Sequence, residues 1–166
     1  MASTTSTSFE ISHFDRAIKS SVSKLGDKRI KEITSLQRKV ILGFLKGRDT
    51  FACLPTGYRK SSIYQLAVRV AAELSVVYNY KDLFSTEPAV LVVSPLNALI
   101  KDQLSSCEKL GINATKIEGT ELPSLEGTEI VYVSPETLIG NTQILLKLGE
   151  RLLGIVVDEF HCVNNW

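Results

Sequence analysis

Ala89-Val90-Leu91-Val92-Val93 is an unbroken apolar run, stopped by Ser94-Pro95. A strand with one wet face alternates apolar and polar residues. A continuous run suits a strand buried on both faces, as in a covered parallel sheet. Similar short apolar runs end at polar motifs elsewhere. Thr50–Leu54 leads into Pro55-Thr56-Gly57, Glu129–Val133 into Ser134-Pro135-Glu136, and Gly154–Val157, also of buried type, into Asp158-Glu159. Ala114–Ile117 is a shorter strand candidate. Segments of helical spacing lie between and before these runs: Phe9–Leu25, Thr34–Lys46, Lys60–Ser75, Asn97–Leu110 and Thr137–Leu153, the last in two pieces around Gly140. Val76–Pro88 has no period and reads as a loop. Alternating strands and helices predict an α/β fold with a mostly parallel sheet and helices on both faces. Such sheets bind ligands beyond the carboxyl ends of their strands, where every one of these polar motifs falls.

The stretch Phe51–Ser62 reads as strand, phosphate loop and helix. Lys60-Ser61 fits the end of the G-x-x-x-x-G-K-[ST] pattern, but Leu54 and Arg59 occupy its two glycine positions. Gly57 frees the turn, and a helix opening at Lys60-Ser61 presents an N-terminus that attracts phosphate. Asp158 and Glu159 supply the other half of such a site. A nucleotide triphosphatase needs a carboxylate near its magnesium and a residue that orients the attacking water.

The 166 residues suffice for one domain with a real core. Net charge is +1, unevenly spread: ten Lys/Arg against five Asp/Glu in residues 1–50, nine against thirteen in 51–166. The basic part suits either a nucleic acid backbone or a solvated helix surface. Cys53, Cys107 and Cys162 are odd in number and lack metal spacing, as in reduced intracellular proteins. No apolar run approaches a membrane span, and the Ser/Thr-rich start, 1–8, reads as a disordered tail. Tyr78 and Tyr80 beside Lys81 suggest either a stacking platform for single strands or a hydrophobic anchor for their loop.

Taken in order, these motifs resemble the first RecA-like domain of RecQ-family DNA helicases of superfamily 2. The resemblance runs over roughly 28–166. It rests on Gln37, Leu54-Pro55-Thr56-Gly57-Tyr58-Arg59-Lys60-Ser61, Val93-Ser94-Pro95-Leu96 with Lys101-Asp102-Gln103-Leu104, Val133-Ser134-Pro135-Glu136, and Asp158-Glu159-Phe160-His161-Cys162-Val163 with Trp166. It implies a helicase ATP-binding domain at 28–166, cut short after Asp158-Glu159-Phe160-His161, and the helical spacing places an N-terminal helical segment at 9–27 ahead of it.

By that resemblance Gln37 reads the adenine edge. Pro55, Thr56, Gly57, Tyr58, Arg59, Lys60, Ser61 and Ser62 form the ATP loop, and Ser61 and Asp158 hold Mg2+. Glu159 activates water and His161 couples hydrolysis to motion, unless His161 is a packing residue. Ser94, Pro95, Ser134, Pro135, Glu136 and Trp166 contact single-stranded or fork DNA. The implied activity is ATP-driven 3′-to-5′ translocation in DNA repair and recombination, in the nucleus. A catalytically silent module of the same fold, binding nucleic acid or a protein, is the alternative. Four features depart from the family: Arg59 replaces a glycine, Phe160 an alanine, Thr34 an arginine near the adenine, and the residues stop before the second RecA-like domain that carries the arginine finger.

Overall fold

The computed structural model describes residues 8–25, 32–55, 59–119 and 121–159. They form two compact units, divided after Thr86.

The first unit is helical. Helix α1 (Ile11–Lys24) buries Phe14, Ala17, Ile18 and Ser21 along one stripe. Helix α2 (Ser35–Leu45) starts at a reciprocal cap: the Thr34 hydroxyl accepts from the Gln37 N–H, and the Gln37 side chain accepts from the Thr34 N–H. Helix α3 (Ser61–Val76) carries both α1 and α2 against it and is buried along most of its length. Lys24 and Ser20 of α1 reach the Glu73 carboxylate of α3, at 2.6 and 2.9 Å. Arg38 of α2 pairs with Asp15 at 2.7 Å and lies over the Phe14 ring.

The loop after α3 is anchored by aromatics. Phe9 packs against Phe14, Tyr80 and Phe84, with ring centroids 5.8–6.3 Å apart. Tyr78 stacks on His13, and the Tyr80 hydroxyl bonds His13 Nδ1 and the Glu10 N–H. The anchoring role expected of these tyrosines is therefore observed, and both rings are engaged within the unit.

The strand expected at Thr50–Leu54 is absent. These residues carry no regular secondary structure, and of Phe51–Pro55 only Leu54 is buried, with Phe51 76% exposed. A five-residue run makes a strand only where a neighbour's ladder takes its N–H and C=O groups. The sheet of this chain contains none of them.

The second unit is that sheet and its helices. Strands β1 (Ala89–Val93), β2 (Ala114–Ile117), β3 (Ile130–Val133) and β4 (Leu152–Val157) lie in the order β2-β3-β1-β4, all parallel. Helix α4 (Asn97–Lys109) joins β1 to β2. Helices α5 (Pro135–Gly140) and α6 (Gln143–Leu148) and a 3-10 turn at Gly149–Arg151 join β3 to β4. The helical stretch expected at Thr137–Leu153 breaks after Gly140 as expected but ends sooner, with α6 stopping at Leu148, the 3-10 turn following, and Leu152 and Leu153 belonging to β4. It also starts two residues earlier, because Ser134 caps α5 and Pro135 takes its first position.

Side-chain alternation assigns the faces. Leu91, Val93, Ile117, Val131 and Val133 pack with Ile144 and Leu148 of α6. Tyr132 points the other way, where its hydroxyl meets Cys107 of α4 at 3.6 Å. Helices therefore cover both faces, and every residue of β1 and β3 is buried. β4 departs from the expected buried type. It is the terminal strand, and Ile155 and Val157 are 47% and 42% exposed. A terminal strand has a hydrogen-bonded neighbour on one side only.

Candidate nucleotide and nucleic-acid site

The parallel register fixes the rim of the second unit. Val93 lies level with Val133 on one side and Val157 on the other. The Ser94 N–H donates to the Val133 carbonyl at 3.0 Å, and the Asp158 N–H to the Val93 carbonyl at 2.9 Å. Ser134, Ser94 and Asp158 therefore follow the ends of three adjacent strands, spaced by about 4.8 Å per strand. Three motifs far apart in sequence become one line of polar groups.

Each position on that line has its own chemistry. The Ser94 hydroxyl is buried and has no hydrogen-bond partner among the described residues. A buried hydroxyl left so costs about 1–3 kcal/mol, and positions of this kind are commonly found where a ligand arrives. Ser134 Oγ accepts from the Thr137 N–H at 3.2 Å and caps α5. Glu136 is held below the ordinary glutamate range by its own backbone N–H first and by Ser134 second. It stays ionised and is unsuited to touch a phosphate directly. Pro95 is half-buried, and Pro135 is buried at the first position of α5.

Asp158 and Glu159 sit at the end of β4, both half-buried. Asp158 Oδ1 accepts the Glu159 N–H at 3.0 Å, and Glu159 holds φ +54°. A side chain in this left-handed region is uncommon and clusters at functional positions. His161 and Trp166, with Phe160, lie outside the described residues.

In the first unit, Thr56, Gly57 and Tyr58 also lie outside the described residues, while Pro55 and Arg59 to Ser62 lie within them. Lys60 is exposed immediately before α3, and Ser61 is the first helical residue. The first turn of α3 holds no acidic residue and no side chain of its N-cap residue caps it, while its Ser62 and Ile63 N–H groups donate to the Arg59 and Lys60 carbonyls at 3.0 and 3.1 Å. Arg59 is exposed and holds φ +45°.

Gln37 and Ser62 behave differently from simple ligand contacts. Gln37 is 8% exposed, with Oε1 on the Thr34 N–H at 2.9 Å and Nε2 donating to Ser62 Oγ at 3.3 Å. The Ser62 hydroxyl in turn donates to the Arg59 carbonyl at 2.7 Å. Thr34, a departure from the resembled family, is therefore the cap that orients Gln37. The pattern Thr34-x-x-Gln37 ahead of an apolar run is a capping-box signal legible in sequence.

Arg151 carried no sequence signal. Its guanidinium donates to the carbonyls of Glu87, Leu125 and Thr128 at 2.7–2.8 Å, fixing the start of β1 and the loop before β3. In the basic amino-terminal part, read as either a nucleic-acid face or a solvated helix surface, Arg38 is paired with Asp15. Lys39 remains exposed.

The two halves of the expected ATP site fall in different units. Their oxygen donors, the Ser61 hydroxyl and the Asp158 carboxylate, are of the hard type that magnesium prefers. Among the described residues no helix is long and apolar enough to cross a membrane.

Comparison with known proteins gives a consistent picture. Residues 34–166 match the DEAD/DEAH box helicase family. The chain is 34% identical over 155 residues to the ATP-dependent DNA helicase hus2/rqh1 of Schizosaccharomyces pombe, covering 82% of this chain and 11% of that protein. It is 35% identical over 150 residues to the ATP-dependent DNA helicase Q5 of Rattus norvegicus, covering 80% and 14%. Against the RecQ-like DNA helicase blm-1 of Caenorhabditis elegans, identity is 31% over 150 residues, covering 78% and 13%. The chain thus spans a small part of these curated relatives.

Proposed function

Because the chain belongs to the DEAD/DEAH box helicase family, we propose that it is the ATP-binding lobe of a RecQ-like, 3′-to-5′ DNA helicase motor. The observation that carries this reading is the line of Ser134, Ser94 and Asp158 across the ends of β3, β1 and β4. That alignment supports reading Ser134 and Ser94 as a DNA-facing rim beside the carboxylate of Asp158, all at the carboxyl ends of one sheet.

In this reading the Lys60 ammonium and the positive end of α3 bind the triphosphate, and Gln37 faces the base. Ser61 and Asp158 would hold Mg2+, which when bound neutralises charge developing on the phosphates. Glu159 positions water, with His161 beside it in sequence. Ser94 and the backbone around Ser134 take single-stranded or fork DNA through its phosphates, with Trp166 as a further contact. The domain proper is 28–166, and the segment 9–27 supports it through α1. DNA repair or recombination in the nucleus follows from the same resemblance.

Arg59 favours a second reading, a lobe that keeps the fold with little turnover, because a side chain occupies the loop where backbone must approach phosphate. One experiment separates the two. Mg-ATP binding is titrated for the native chain, Lys60→Ala and Asp158→Asn, and hydrolysis is followed with and without single-stranded DNA. Binding lost in Lys60→Ala, with DNA-stimulated hydrolysis lost in Asp158→Asn, supports the motor reading. Binding without hydrolysis supports the silent one, and equal binding by all three proteins refutes the site.

A further inference from the structure

We infer that Gln37 and Ser62 are positioning residues, joined in a one-way hydrogen-bond relay that holds Arg59 in its left-handed conformation. The inference rests on the nucleotide reading only for its functional consequence. The relay itself is made of the chain's own groups.

Its direction is fixed by chemistry. The Thr34 N–H can only donate, so the atom it meets at 2.9 Å is the carboxamide oxygen of Gln37. The other carboxamide atom is therefore the nitrogen, and it donates to Ser62 Oγ at 3.3 Å. With Ser62 Oγ accepting there, its own hydrogen goes to the Arg59 carbonyl at 2.7 Å. The Ser62 N–H meets the same carbonyl at 3.0 Å. Both Gln37 and Ser62 are buried, at 8% and 5% exposure, so water competes poorly for these bonds.

A serine bonding back to a carbonyl three residues earlier is ordinary in a first helical turn. Two features set this one apart. The accepting carbonyl belongs to a non-glycine residue at φ +45°, a conformation that needs surrounding structure to persist. The hydroxyl is also aimed by a side chain 25 residues away, on another helix. A glycine at position 59 would adopt this φ without help. The chain instead has arginine there, together with two donors on its carbonyl.

The consequence for the proposed site is a link between its base end and its phosphate end. Gln37, expected to face adenine, is also tied through Ser62 to the Arg59 carbonyl just ahead of Lys60. A change in the hydrogen bonding of its carboxamide passes through one hydroxyl to the strained residue.

The test uses the full chain without nucleotide, and reads amide hydrogen exchange at Ser62 and Ile63 with trypsin cleavage after Arg59 and Lys60. Gln37→Glu keeps an acceptor for the Thr34 N–H, so the cap of α2 survives, but it cannot donate to Ser62. Ser62→Ala removes the hydroxyl, and Ser62→Thr keeps it. Gln37→Glu and Ser62→Ala should each speed exchange and cleavage by about three- to tenfold, the worth of one net hydrogen bond. Ser62→Thr should restore native rates. The double variant should be no faster than Ser62→Ala, since both cut one chain. In an Arg59→Gly background the effect of Ser62→Ala should largely vanish.

Native rates in Gln37→Glu, an additive double variant, or an undiminished effect in the glycine background would each overturn the relay. Retained helicity of α2 by circular dichroism and far-helix exchange guards against misfolding in Gln37→Glu. A parallel titration with Mg-ATP and with Mg-tripolyphosphate distinguishes the two levels. If neither binds while the nucleotide-free pattern holds, the nucleotide reading fails and the relay stands. If ATP binds and the exchange pattern is absent, the reverse holds.

Discussion

Arg59→Gly should stabilise this chain, against the usual direction of substitutions to glycine. The Arg59 backbone sits at φ +45° and its side chain is exposed, so no core contact is lost on truncation. An L-residue in the left-handed region costs about 1–2 kcal/mol. Glycine removes that cost but loses about 0.5–1 kcal/mol more backbone entropy on folding. The difference is a net gain of roughly 0.5–1 kcal/mol. For a chain of this size that corresponds to a rise in Tm of about 1–4 °C. Differential scanning calorimetry of the native chain and the variant measures it directly. A Tm that falls or does not move would refute the strain argument. The same pair then reads the ligand consequence: Mg-ATP should bind tighter to the glycine variant, because the Cβ and long side chain no longer stand where backbone approaches phosphate. Higher Tm with equal ATP affinity would show that the strain exists but does not reach the ligand.

Three further outcomes follow from specific contacts. Ser94→Ala should raise stability by about 1 kcal/mol, since it removes a buried hydroxyl without a partner among the described residues, while weakening single-stranded DNA binding in an anisotropy titration; lower stability with unchanged DNA affinity would sink the idea. Arg151→Ala should cost roughly 2–3 kcal/mol in urea unfolding, and Arg151→Lys should not rescue it, because a single ammonium cannot span the carbonyls of Glu87, Leu125 and Thr128. Burial alone would raise the pKa of Glu73, but its hydrogen bonds from Lys24 and Ser20 outweigh burial and hold it below the ordinary glutamate range. Its folded pKa is depressed, so its stabilisation is complete above the unfolded value and is lost as pH falls through the folded one. The Tm advantage of the native chain over Glu73→Gln should therefore be constant at neutral pH and shrink on the acid side of the glutamate range; an advantage that persists through that range would contradict it.

The sequence by itself determined most of the local structure and the identity of the rim. Ala89–Val93 is a strand over those same residues, and Asn97–Leu110 and Lys60–Ser75 are helices to within a residue at either end. Their apolar periods and polar stops are local properties of the chain. Ser94, Ser134 and Asp158 were legible for the same reason, as breaks after apolar runs. Only the tertiary structure decided which runs were paired. Thr50–Leu54 and Gly154–Val157 look alike as apolar runs, yet one forms no strand and the other becomes an exposed terminal strand, because strand formation and burial depend on neighbours distant in sequence. The same holds for side chains. Gln37 meets Ser62 across 25 positions and Arg151 meets Glu87 across 64. No spacing rule announces such bonds, since their distance along the chain is set by how the helices and strands fold back, not by the period of any one of them.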